Sequence, residues 1–333
     1  MTGGAGFIGS HVVDCFAQAG HDVHVLDNLS HGKRANISPQ VPLHVLDIRA
    51  PGLRDLLVRE KFAIVSHHAA QIDVRHSVDD PLYDADVNVM GSLNLLQGCV
   101  ASGVSKVIYA SSGGAVYGEP RYLPCDESHP IDPVSPYGVS KHVVEQYLRQ
   151  FGQLHGLRYT VLRYPNVYGP RQDPLGEAGV VAIFASHMLA DREVRICGSG
   201  EQERDFVYAG DCARANLMAL SGADGEVLNL GTGTGTSINS LFQAMARITG
   251  YRRHPVYMPA RRGETMRMAV AASHARAVIG WEPLVSLEEG LQHTIAAFGG
   301  LVAPSAPKPQ TPNPKPQTPA VAPSPAAAGE GEG

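Results

Sequence analysis

TGGAGFIGS, residues 2–10, decides the fold. Gly3, Gly6 and Gly9 stand at G-x-x-G-x-x-G spacing and run directly into the apolar stripe of Val12, Val13 and Phe16, a helix closed by Gly20. Glycines let a backbone turn tightly and approach a ligand, and the first N–H groups of a helix carry partial positive charge, so the stretch can cradle a pyrophosphate. Alone, such a loop is a weak signal. It gains from the next strand: residues 23–27 read as a β-branched run ending on Asp27, a carboxylate about 20 residues past the loop that can accept hydrogen bonds from an adenosine ribose. Its charge would repel a 2'-phosphate, so NAD is expected rather than NADP. Asp47, at the end of the strand after that, either approaches the adenine or is an ordinary strand-end carboxylate.

Further along, short β-branched runs at 43–47, 62–66, 106–110 and 159–163 alternate with helical patterns, among them Val87, Met90, Leu93, Leu95 and Leu96 on one apolar face. Strand alternating with helix predicts an α/β fold, a doubly wound parallel sheet covered on both faces. After Pro165 the alternation loosens into helices at 180–189, 211–220, 237–248 and 286–298 and a strand at 227–230, which predicts a smaller mixed α/β domain. The expected division is 1–164 with roughly 205–235 for the dinucleotide and 165–204 with 236–300 for a second ligand. Residues 301–333 turn to proline and alanine, repeat PKPQTP and end in GEGEG. They are expected as a disordered tail, either a solvated appendage or a docking segment for a proline-recognising partner. At the front, only Met1 and Thr2 precede the glycine loop, whereas a strand normally takes about 5 to 6 residues. Either the chain starts upstream or the sheet lacks its middle strand, and the rest of the pattern presupposes that strand.

The composition favours small-molecule chemistry. A net charge of −5 with 18% charged residues offers no basic field for nucleic acid or anionic membrane, and 44% hydrophobic residues in 333 suffice for a large core. Five cysteines, an odd number without a C-x-x-C, fit reduced thiols in a cytoplasmic protein better than disulfides or zinc. No apolar run reaches the about 20 residues a membrane span needs, and no metal is expected because no ligand cluster has metal spacing.

Tyr137 and Lys141 in SPYGVSK are one helical turn apart, on a helix continued by Val143, Val144, Tyr147 and Leu148. An ammonium beside a phenol favours the phenolate, which would bring the tyrosine from its usual value of about 10 towards neutrality and make it a general base. Y-x-x-x-K occurs often by chance; after a dinucleotide loop, an acidic strand end and the serine-bearing YASSGGAVYG (109–118) it becomes specific. His67 and His68, at a strand end nearby, read as structural histidines with satisfied rings before catalytic ones.

TGGAGFIGS, LDNLS, HHAAQ, NVMGSLNLL, YASSGGAVYG, SPYGVSK, RYPNVYGP, ERDFVYAGD and NLGTG occur in an order that resembles the UDP-glucose 4-epimerase family of extended short-chain dehydrogenases/reductases, from Thr2 to about Phe298. The resemblance implies a Rossmann domain with a small nucleotide-sugar domain, NAD bound throughout, a UDP-sugar substrate, and a homodimer packed through helices like 88–99 and 137–151. It implies that Tyr137 takes the proton of the sugar 4-hydroxyl while C4 is transiently oxidised, with Lys141 on the nicotinamide ribose. Gly3, Gly6, Phe7, Ile8, Asp27, Asn28, Asp47, Ile48, Ala69, Ala70, Gln71, Asn88, Ser111 and Tyr164 match cofactor positions, beside Tyr137 and Lys141 themselves. Asn166 matches a substrate-contacting asparagine, Arg204 and Arg261 match arginines that grip the diphosphate, and Glu264 stands where an aspartate commonly reaches the uridine ribose.

One departure concerns the hydroxyl that assists the tyrosine. Counting back from Val116-Tyr117-Gly118 puts Gly113 where many members carry Ser or Thr; Ser112 either takes that role or faces the other way. The resemblance leaves other nucleotide-sugar enzymes open, such as a UDP-N-acetylhexosamine 4-epimerase, with Met268 expected beside the sugar. A 4,6-dehydratase is disfavoured because Gly114 and Ala115 replace its acidic pair. A non-enzymatic NAD sensor is the reading from another class, and the retained Tyr137 and Lys141 count against it.

Overall fold

The computed structural model describes residues 1–174, 179–260 and 265–299, so Arg261, Glu264 and the tail 301–333 lie outside the described residues. The strands are β1 (Val25–Asp27), β2 (Leu43–Val45), β3 (Ile64–His67), β4 (Lys106–Ser112), β5 (Arg158–Tyr164), β6 (Asn166–Tyr168), β7 (Arg195–Cys197), β8 (Glu203–Arg204), β9 (Phe206–Tyr208), β10 (Glu226–Asn229), β11 (Thr236–Ser237) and β12 (Val256–Met258). The helices are α1 (Phe7–Gln18), α2 (Leu53–Glu60), α3 (Val74–Asp79), α4 (Pro81–Ala85), α5 (Gly91–Ser102, after a π turn over Asp86–Met90), α6 (Pro136–His155), α7 (Val180–Leu189), α8 (Ala209–Ala219), α9 (Ile238–Thr249), α10 (Ser273–Ile279) and α11 (Leu287–Gly299).

The main sheet is parallel. β1 pairs with β2, β3 with β4, β4 with β5 and β5 with β10, and Thr2 bridges Leu26 of β1 to His67 of β3. Met1 and Thr2 therefore occupy the middle of the sheet. Leu26 N donates to Met1 O at 2.8 Å, Thr2 N to Ser66 O at 2.9 Å, Gly3 N to Leu26 O at 2.8 Å and His68 N to Thr2 O at 3.1 Å. The backbone entering the glycine loop is thus held from both sides, which aims the loop at the carboxyl ends of β1 and β3.

The sheet strands are buried because both faces are covered. Leu53, Leu56 and Leu57 of α2 and Leu95 and Leu96 of α5 pack with Val65, Val107 and Val161 on one side, while Ile108, Leu162 and Leu228 meet α8 and Trp281 on the other. A separate core joins α7, α9 and α11: Phe184 and Met188, Leu241, Phe242 and Met245, and Leu291 and Ile295 are buried together. The apolar positions of α9 recur at i, i+3, i+4 and i+7, and Ser237 caps its start by accepting from Ser240 N, so its place and its buried face can be read from the local sequence. Two connections escape any local reading. β8 pairs antiparallel with β11, and β12 lies parallel to β7, each made of two or three residues brought together across the chain.

Candidate active site

Gly3 has φ +66°, a left-handed conformation, and a Cβ there would meet Ala69 N at 2.6 Å; a Cβ on Gly9 would meet Gly3 O at 2.1 Å. The loop can close this tightly, with Ala69 against it, only because both are glycine. Gly6 begins α1 without a capping side chain, and no acidic residue stands in the first turn, so the helix presents its N–H groups and positive end to an anion. Phe7 and Ile8, the first residues of α1, are half-buried. These features fit a dinucleotide pyrophosphate. Asp27, buried at the end of β1, accepts from Ala5 N at 3.0 Å and Leu29 N at 2.9 Å, so its carboxylate also fixes the loop's shape.

Beyond the ends of β1 and β2, Asn28 Nδ2 donates to Asp47 Oδ2 at 2.9 Å, and Arg49 holds Asp47 through Nε at 2.9 Å and Nη2 at 2.8 Å. These bonds keep the Asp47 carboxyl well below the usual range, the Arg49 side chain contributing most. Ile48 is buried against Gly91.

α6 carries Tyr137 and Lys141. Ser135 caps it by accepting from Gly138 N at 3.2 Å, Pro136 starts it, and Ser77 Oγ of α3 accepts from Tyr137 N at 3.2 Å. Lys141 is buried at 4% exposure; its Nζ lies 5.8 Å from the Tyr137 ring centroid and donates to Ala110 O at 3.0 Å. Burial lowers the Lys141 ammonium to about 8 against the carboxylates of Asp84 and Glu145. Tyr137 is pushed up to about 12 by burial, with the Ser112 hydroxyl, hydrogen-bonded to it, pulling the other way. This corrects the expectation of a phenol near neutrality. Residue spacing argues from one nearby ammonium, but desolvation of the phenolate is the larger effect here and Lys141 is turned to a carbonyl.

Direction separates Ser112 from position 113. A side chain at 113 would stand 3.3 Å from Val270 Cγ1 and 3.4 Å from Arg163 O, packed into protein, whereas Ser112 is the hydroxyl that meets Tyr137. A side chain at 114 would stand 3.9 Å from Ser112 Oγ and 4.0 Å from Asn166 Oδ1. Those two polar atoms flank one space that glycine keeps open. Asn166 itself is placed by its own N–H, which donates to Asp205 O at 3.0 Å.

Several expected cofactor residues spend their side chains within the protein. Gln71 Nε2 donates to Asp73 O at 2.9 Å and Asp84 Oδ1 at 3.0 Å, and Asn88 Nδ2 donates to Gln71 O at 3.0 Å, Asp84 Oδ1 at 3.0 Å and Ser140 Oγ at 3.2 Å. Ser111 Oγ donates to Glu145 Oε1, and the Tyr164 hydroxyl accepts from Asn216 Nδ2 at 2.7 Å. Ala69 and Ala70 are half-buried in the loop after β3. His67 has both ring nitrogens satisfied, Nδ1 by Thr2 Oγ1 at 2.7 Å and Nε2 by Ser92 Oγ at 2.9 Å, and burial lowers it to about 3, so it is a neutral structural ring as expected.

On the other side, Arg204 lies on β8, half-buried, its Nη1 donating to Glu203 O at 2.8 Å. Met268 differs from expectation: it is 2% exposed and packs with Val116, Tyr117, Cys125 and Val270, leaving little surface for a ligand. Two acids near the pair were missed in the sequence: Glu145, one turn beyond Lys141 on α6, was open to the same spacing argument, whereas Asp84 is an isolated acid of α4 that only tertiary packing brings near Tyr137 and Lys141.

The chain matches the profile of the NAD dependent epimerase/dehydratase family over residues 1–231. It is 48% identical to the UDP-glucose 4-epimerase of Thermotoga maritima solved with UDP-glucose, at a TM-score of 0.89 covering 90% of this chain and 97% of that one. The UDP-glucose 4-epimerase of Thermus thermophilus, solved in complex with NAD, is 43% identical with a TM-score of 0.85, covering 90% and 98%. The UDP-glucose 4-epimerase of Mycolicibacterium smegmatis is 42% identical over 304 residues, 90% of this chain and 97% of that protein.

Proposed function

Because the chain belongs to the NAD dependent epimerase/dehydratase family, we propose that it interconverts UDP-glucose and UDP-galactose by transient oxidation at sugar C4. The observation that carries the reading is the constellation of buried Lys141 with half-buried Tyr137 and Ser112, the two hydrogen-bonded, in a chain that matches UDP-glucose 4-epimerases along 90% of its length. NAD, bound at the glycine loop and the Asp27 strand end, supplies the reversible hydride acceptor that inversion through a ketone requires. Tyr137 takes the proton of the 4-hydroxyl and returns it, Ser112 holds that hydroxyl and the phenol in line, and Lys141 offsets the charge of the phenolate. Asn166 orients the sugar across from Ser112. Arg204 and Arg261 bind the diphosphate, where a guanidinium matches paired oxygens, and Glu264 binds the uridine ribose. In this reading residues 1–164 with 205–235 hold the dinucleotide and 165–204 with 236–300 hold the nucleotide sugar.

The test is conversion without added cofactor. Purified protein mixed with UDP-galactose and no NAD is expected to form UDP-glucose, followed by chromatography. Absence of product from protein shown to contain NAD would sink the reading.

The enzyme is proposed to be a homodimer. Along α4, the π turn and α6, Leu82 is 82%, Met90 58% and Val139 46% exposed, an apolar strip of the kind monomers rarely leave in water. The five cysteines are free, which supports a cytoplasmic enzyme, and among the described residues no helix is long and apolar enough to cross a membrane. Met90→Glu combined with Val139→Glu should convert the dimer to monomer in light scattering, since two charges per protomer would be desolvated at the contact. An unchanged mass would place the dimer contact elsewhere.

A further inference from the structure

Asp84 is 1% exposed and belongs to no part of the mechanism above. Its Oδ1 accepts from two neutral amides, Gln71 Nε2 and Asn88 Nδ2, each at 3.0 Å. Asn88 in turn reaches Ser140 Oγ at 3.2 Å, and Ser140 donates to Tyr137 O at 3.0 Å, so the carboxylate lies one short polar chain from the reactive helix turn. Glu145, the other acid near the pair, is neutralised by Arg163 at 2.6 Å. Asp84 has no such partner among these bonds. Neutral amides hold a buried carboxylate in place but do not cancel its charge, and an uncompensated buried charge is costly to keep unless it acts on something.

We propose that Asp84 is a positioning residue for the reaction: its carboxylate, fixed by Gln71 and Asn88 beneath the first turn of α6, supplies the negative charge that sets how the proton is shared between Tyr137 and Lys141. The charge favours the ammonium of Lys141 and opposes the phenolate of Tyr137, and it opposes the phenolate of Tyr109 as well. The other groups facing the pair are His67 and His68 after β3, Tyr109 and Ser112 on β4, and Glu145 on α6 with its partners Arg163 and His142. His67 is neutral, and so is His68, held far below its usual value by burial; the Glu145 charge is paired. That leaves Asp84 as the unpaired anion among these groups. Asp73 and Asp80, next in line, are turned to the helix starts, where Asp73 accepts from Arg75 N and His76 N and Asp80 from Tyr83 N.

The inference rests on the assignment of Tyr137 and Lys141 given above. Removing one negative charge stabilises the phenolate and destabilises the ammonium, so both groups titrate at lower pH. In Asp84→Asn, which keeps an acceptor for both amides, both limbs of the pH profile of kcat/KM should move acidward by on the order of one pH unit, with the KM for UDP-galactose unchanged. The phenol itself should show the same shift in an ultraviolet difference titration against Tyr137→Phe, a readout independent of turnover. Asn88→Ala, which loosens the brace and leaves the charge, should lower the rate without moving either limb. If Asp84→Asn does not fold, Asp84→Ser is measured in its place with the same expectation. A uniform loss of rate at every pH, with both limbs where the parent has them, would make Asp84 a structural brace and overturn the proposal. An active Tyr137→Phe would instead overturn the assignment beneath it, which separates the two failures.

Discussion

Tyr137→Phe is expected to lower kcat by about 10²- to 10⁴-fold while leaving bound NAD and the KM for the UDP-sugar nearly unchanged. The substitution keeps the ring 5.8 Å from Lys141 Nζ and removes only the hydroxyl. Among the described residues, neither neighbouring phenol is placed to replace it. Tyr109 is buried with its phenol pushed far up by burial, and its hydroxyl points to Lys141 O at 3.5 Å. The Tyr164 hydroxyl is committed to Asn216 and His68. The working pair holds one proton between the two groups, with Lys141 at about 8 and Tyr137 at about 12, so the parent should lose activity as pH falls through about 8, where both groups are protonated. Single-turnover kinetics with NAD content measured alongside would check this, and turnover close to the parent's would remove Tyr137 from the chemistry and revive the reading of an NAD sensor.

The second large effect is on stability. Glu145→Gln should destabilise the fold by about 3–5 kcal/mol, a fall in Tm on the order of 10 °C, because it leaves the buried Arg163 guanidinium without its counter-charge. Arg163 grips Glu145 through Nε at 3.0 Å and Nη2 at 2.6 Å, with side-chain exposures of 5% and 3%. Arg163 Nη1 also donates to the Tyr117 hydroxyl at 2.9 Å, which donates to Asn229 Oδ1 at 2.8 Å, so the pair ties α6 to β5, to the segment after β4 and to β10. Burial raises the Glu145 carboxyl, but Arg163, His142 and Ser111 outweigh it and hold it at about 2. A carboxylate held below its unfolded value of 4.5 contributes stability that is complete above that pH and is lost as pH falls towards 2. The difference in stability between parent and variant should therefore narrow over that window in circular-dichroism melts. A variant melting with the parent would show that the ion pair contributes nothing net.

How much of this was open to sequence reading depends on how local each feature is. α7 runs over the 180–189 expected, α9 and α11 fall within a residue of their patterns, and β4 and β5 extend theirs by one or two residues at the ends. Period and caps reside in neighbouring residues, so they survive without a partner in view. Short strands do not: β8 and β11 have two residues each and exist only because the chain returns to pair them. The place of the residues entering the glycine loop, with Thr2 between Leu26 and His67, is likewise a matter of pairing.

The candidate site divides the same way. Gly3, Gly9, Asp27, Tyr137 and Lys141 were determined by the sequence itself, because a turn that admits no Cβ, a strand-end carboxylate and a one-turn helical spacing are properties of adjacent residues. Only the tertiary structure decided that Ser112 rather than residue 113 faces the phenol, that Met268 is core, that Asp84 stands near the pair, and that Arg163 neutralises Glu145. It also reversed the direction of the Tyr137 shift. Proximity of an ammonium can be read from spacing, but desolvation depends on everything packed around the ring, and burial is a sum over the whole fold that no short stretch of sequence contains.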